Sequence, residues 1–147
     1  MKIGMVTKAM FFDRKAVMSR VDKATQKVFS KFGAFVRTAA KSSIRSRKKV
    51  SAPGSPPSSH TGLLKKFIYF GYDPAHRSVV IGPTRLSQKV GDAPEALEYG
   101  GESAVVSGLR GRRKKRNVNI KARPYMHPAF EQEKPKLPAM WANSVKP

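Results

Sequence analysis

Apolar residues recur at steps of three and four along the first third of the chain: Val17, Val21, Ala24, Val28, Phe32, Phe35 and Ala39. That spacing lines one side of an α-helix. Lys15, Lys23, Lys27, Lys31, Arg37 and Lys41 fall mostly off the stripe. The pattern predicts one helix over residues 14–49, with Asp13 as its N-cap. At ~1.5 Å per residue it would be roughly 50 Å long, enough to ride across a sheet or reach a neighbouring subunit. Gly33 is a weak point inside it.

The pattern then breaks. Residues 51–62, "SAPGSPPSSHTG", hold three prolines and two glycines and read as a loop. From Leu63 the period becomes two. In "LLKKFIYFGYD" Phe67, Tyr69 and Gly71 face one way, and Lys66, Ile68 and Phe70 the other. Asp73–His76 makes a turn, and "SVVIGP" returns as the second strand of an antiparallel hairpin. "APEALEYGG" predicts a short helix over 93–99 closed by Gly100. Residues 103–109 and 117–122 are two further strand candidates, separated by the basic excursion 110–116.

The last segment, 127–145, predicts a broken C-terminal helix. Pro128 suits its first position, Phe130 its anchoring contact, and Pro135 and Pro138 interrupt it. The whole reads as a single α+β domain over 1–147. A long N-terminal helix packs on a small, mostly antiparallel sheet of about four strands, with a C-terminal helix behind.

Composition supports a folded chain: 39% of the 147 residues are apolar. Cysteine is absent, which excludes disulfides, thiolate-bound zinc and a Cys nucleophile. No apolar run approaches the ~20 residues of a membrane span. The start of the chain lacks the apolar core and small-residue cleavage site of a signal peptide.

Charge changes the picture more. The net charge is +21, and it is segregated. Residues 1–50 carry +12, residues 51–109 are neutral, and residues 110–147 carry +9. Such a chain repels itself unless it meets anions. Two runs stand out: Arg45, Arg47, Lys48 and Lys49, and then Arg110, Arg112, Arg113, Lys114, Lys115 and Arg116. DNA, RNA, an anionic membrane surface or an acidic protein could supply the anions, and each run suits a polyanion through counterion release. Few aromatics interleave with them, so any nucleic-acid contact falls on the backbone and not on stacked bases.

Catalytic chemistry finds no foothold. There is no phosphate-cradling Gly-Lys-Ser/Thr loop and no dinucleotide fingerprint. His60, His76 and His127 are scattered, without metal-ligand spacing. Glu95 and Glu98 suit charge pairing better than acid–base work. The reading is therefore of a non-enzyme with neither cofactor nor metal.

The order of short motifs is more specific than any one of them. Ala40-Lys41 near the helix end is followed by the Pro-rich loop and Thr61-Gly62-Leu63-Leu64. Glu98-Tyr99-Gly100 comes next, then Ala122-Arg123-Pro124-Tyr125 with Pro128-Ala129 and Phe130. This layout resembles the tail-component family of long-tailed bacteriophages, the small neck or tail-completion proteins of the head–tail junction. The resemblance covers roughly residues 14–145. Phe67-Ile68 stands where that family usually has Ser-Ile, and the run 110–116 is more basic than the family pattern.

The resemblance implies a structural virion protein, assembled in the host cytoplasm and located at the head–tail junction. It would form a homo-oligomeric ring, a hexamer, between a portal-side adaptor and a tail terminator or tail-tube protein. Genomic DNA would pass through the lumen, with backbone contact available to the basic residues. The alternative is a free-standing, non-specific nucleic-acid-binding protein that contacts phosphates through the same segments. In either case Pro124 forces Arg123 toward an extended backbone, making 120–130 a strand-to-helix joint. Arg123 itself is open to three roles: a partner for Glu98, a partner for a neighbouring subunit, or a solvated arginine.

Overall fold

A computed structural model describes residues 13–84, 93–107, 114–142, 144 and 145. The architecture is mixed α+β. Helix α1 (Arg14–Ser43) leads into a loop and the single helical turn α2 (Leu63–Lys66). The hairpin β1 (Ile68–Asp73) and β2 (Ser78–Pro83) follows, then α3 (Ala93–Tyr99), β3 (Gly101–Ser107) and β4 (Lys114–Ile120). The chain closes with α4 (Met126–Glu133), a 3₁₀ turn (Lys134–Lys136) and α5 (Leu137–Trp141). The four strands form two separate antiparallel pairs, β1–β2 and β3–β4, and not one sheet.

Asp13 caps α1 as the sequence predicts, its Oδ1 accepting from the Ala16 amide at 3.0 Å. The helix stops at Ser43, six residues short of its predicted end. Ser42 and Ser43 turn their hydroxyls onto the carbonyls of Ala39 and Ala40, competing with the helical ladder. Ile44 is extended and 1% exposed, so its side chain is drawn into the core. Arg45 then bridges in parallel to Ser58, with the Ser59 amide donating to the Arg45 carbonyl at 3.0 Å. Tertiary pairing with the Pro-rich loop ends the helix.

The buried face of α1 is centred on Ala24, Val28, Phe32, Gly33, Val36 and Ala40. Phe35 and Val17, assigned inward by the apolar spacing, are 40% and 42% exposed. The hairpin decides the rotation. A Cβ on Gly33 would lie 2.8 Å from Val79 Cγ2 and 2.9 Å from Phe70 Cδ2, so helix and strands touch at the glycine. The row 32–36–40 therefore turns inward and Phe35 turns out, where the Lys31 ammonium sits over its ring. Phe32, Val36, Ala40 and Ile44 build the core with Leu64, Ile68, Tyr125 and Ala129.

Thr61-Gly62-Leu63 opens a helical turn where a strand was predicted. Gly62 adopts a left-handed conformation (φ 74°), and its carbonyl accepts from the Lys66 amide. The strand begins only at Ile68. From there the alternation holds: Ile68 is buried while Tyr69 is 46% exposed. Ile68 pairs with Pro83 and Asp73 with Ser78.

The β3–β4 ribbon pairs Gly101 with Ile120 and Ser107 with Lys114. Lys114, Lys115 and Arg116 thus begin a strand and do not belong to a loop tip. Arg110, Arg112 and Arg113 lie outside the described residues.

The C-terminal helix is broken at the predicted prolines, but it starts one residue earlier than expected. Met126 is first, so Pro128 occupies the third position, where a missing N–H is equally harmless. Phe130 does not anchor it: it is 38% exposed and meets Phe32 edge-on at 5.8 Å. The anchors are Tyr125 and Ala129, 1% and 4% exposed.

Candidate functional site

The two segments that carry most of the motif order, 98–100 and 122–130, meet in one joint. Glu98, at the end of α3, is buried. Its Oε2 accepts from the Tyr125 and Met126 amides at 2.9 and 3.0 Å, and its Oε1 from the His127 amide at 2.8 Å. A carboxylate from a distant helix thus caps α4, whose first amides have no partner within the helix. Each is a charge-assisted bond, of the stronger class.

Arg123 completes the joint without touching Glu98. Its amide donates to the Leu97 carbonyl at 2.6 Å. Its Nε donates to the Ser51 carbonyl and a terminal nitrogen to the Lys121 carbonyl, both at 3.0 Å. The Gly54 amide donates to the Ala122 carbonyl. The arginine therefore bonds backbone carbonyls, tying α3 and the start of α4 to the Pro-rich loop. Gly100, at φ 81°, lets the chain leave α3 against Ala122, and a Cβ there would lie 3.2 Å from the Ala122 nitrogen.

The joint presents Tyr99, which is 78% exposed. Beside it runs a cleft of about 270 Å³ lined by Phe32, Val36, Val79, Ile81, Met126 and Phe130 together with Glu98, Tyr99 and His127. A second cleft, about 290 Å³, lies between β2 and α3 and shares Glu98 and Tyr99. The outer edge of β2 has no strand partner among the described residues. An exposed aromatic, two shallow clefts and a strand edge unpaired among the described residues lie together here.

The first basic run occupies a different place. Arg45, Arg47, Lys48 and Lys49 follow the end of α1 and are exposed. Arg45 and Arg47 line a cleft of about 440 Å³ with Ser42, Ser43, Ser55 and Pro56. Arg116 is exposed on β4. The contrast with the rest of the surface is in the carboxylates, a signal that run-by-run charge counting misses. Residues 23–72 contain eleven lysines and arginines and no Asp or Glu.

Elsewhere several acids are partnered. Asp22 pairs with Arg77 at 3.1 Å, tying the hairpin turn to α1, and Glu131 and Glu133 pair with Lys134 and Lys136. In that turn His76 Nδ1 lies 2.6 Å from Asp73, a hydrogen bond that lowers the Asp73 pKa, with the Ala75 and His76 amides adding to it.

Among the described residues no group of three His, Asp or Glu side chains is placed to hold a metal ion. No helix there is long and apolar enough to cross a membrane. No family model, no curated protein and no solved structure matches the chain.

Proposed function

We propose that the chain is a structural subunit of a bacteriophage neck. It assembles into a homo-oligomeric ring, hexameric by the family resemblance, at the head–tail junction. Its neighbours are a portal-side adaptor and a tail terminator or tail-tube protein, and genomic DNA passes through the ring. The protein has no catalytic task in this reading.

The observation that carries the proposal is the Glu98 joint. The motif segments on which the resemblance rests are far apart in sequence, yet three hydrogen bonds make them one unit. That unit holds Tyr99 outward beside two mixed polar and apolar clefts and a strand edge unpaired among the described residues. A ring closed by heterologous contacts needs such a surface on each subunit. Exposed aromatics are common interface anchors.

Sedimentation of the purified chain, alone and with its adaptor and terminator neighbours, tests the reading. A discrete oligomer resistant to nuclease and to high salt is expected. Tyr99→Ser should lower the assembly affinity while the circular dichroism spectrum stays unchanged. A chain that stays strictly monomeric beside those neighbours would overturn the proposal.

A further inference from the structure

We propose that the cleft at the C-terminal end of α1 is a binding site for the phosphate backbone of double-stranded nucleic acid, with the Arg45 and Arg47 guanidinium groups as its phosphate ligands. The inference does not rest on ring assembly.

The cleft is built and not a loose run of charge. The Arg45 backbone is pinned by its bridge to Ser58 and by the bond from the Ser59 amide. Arg47 donates through Nε to the Ser58 hydroxyl at 2.9 Å. That bond uses the stem-side nitrogen and leaves the two terminal amino groups for a ligand, the fork that suits phosphate.

Among the described residues no carboxylate lines the cleft, so none there neutralises the two guanidinium groups. Nearby, at the same end of α1, Lys41 reaches toward the Lys66 carbonyl at 3.4 Å. Burial, then Arg37 and Lys65, lower the Lys41 pKa, so like charges crowd there too. A surface arranged this way is stabilised when an anion arrives.

The lining selects the class of anion. Apart from Pro56 the walls are serine and arginine. An interface core for an acidic protein would be apolar and depleted of charge, which this is not. Among the described residues no aromatic ring lines it, so stacked single-strand bases find no platform there. Backbone contact along a duplex remains, without sequence preference.

Fluorescence anisotropy with a labelled duplex of about 30 base pairs, titrated with salt, tests the proposal. The variant R45Q/R47Q should lose roughly tenfold in affinity near 0.1 M salt, and its log–log salt slope should fall by about 1.8, two phosphates' worth. The control K15Q/K23Q removes equal charge from the opposite half of α1 and should leave the slope within about 0.5 of the parent.

A single strand of the same length should bind more weakly than the duplex. Equal losses in both double variants, tighter single-strand binding, or no duplex binding at low salt would each overturn the proposal. So would anionic vesicles or polyglutamate that compete as well as unlabelled duplex at matched charge.

Discussion

Glu98 is the residue on which the C-terminal third depends. Its carboxylate satisfies three amides, one in a buried bond and two in part-buried ones, and leaving such donors unmade is costly. Glu98→Gln keeps one acceptor oxygen but turns an amino group toward N–H groups. We expect it to lower stability by about 2 kcal/mol, and Glu98→Ala by more, read from urea unfolding. Tyr125→Ala should cost about 3 kcal/mol or more, as large buried truncations do. Phe130→Ala should cost only about 1 kcal/mol, since its ring is part-exposed. Equal losses at Tyr125 and Phe130 would contradict the packing described here.

At the scale of elements, the approach of α1 to the hairpin is set by Gly33. Alanine is normally worth about 1 kcal/mol over glycine inside a helix. Here the added methyl would press on Val79 and Phe70 at under 3 Å. Gly33→Ala should therefore destabilise by about 1–2 kcal/mol despite its better helical propensity, as a shift of the thermal midpoint would record. A stabilised variant would mean that the helix can lift off the strands at no cost.

Most element types were legible in the sequence because the apolar period changes from 3.6 to 2 between α1 and the hairpin, but Leu63–Lys66, which reads as the start of a strand, is a helical turn. Boundaries were not legible. The stop at Ser43 depends on Arg45 bridging to Ser58, and the turn at Leu63–Lys66 on Gly62 turning left-handed. The spacing alone misplaces Phe35 on the buried stripe of α1, because Val36 fits the same spacing and the hairpin selects it. Of the candidate site residues, Glu98 and Arg123 were found by their motifs, but their partners proved to be backbone groups, which no side-chain pattern encodes.

For the molecule as a whole, electrostatics opposes folding at low ionic strength. A net charge of +21 on 147 residues is a large self-repulsion. Because it is long-range and surface-borne, salt screens it within about 10 Å at 0.1 M. Raising sodium chloride from about 20 to 200 mM should lift the melting midpoint by several degrees, followed by differential scanning fluorimetry. A flat or falling midpoint would mean that the charges are already neutralised within the protein.

The joint at Glu98 also works as a clasp. The strands Gly101–Ser107 and Lys114–Ile120 leave and return through it, pairing with each other. The ribbon is thus an appendage whose length the body does not sense, because closing a longer or shorter excursion changes the free energy only slowly. Replacing 104–117 by a tight two-residue turn should leave the unfolding midpoint within a few degrees of the parent chain. Reach and charge at the outer end can then be varied by insertion or deletion while the core and its cap stay as they are.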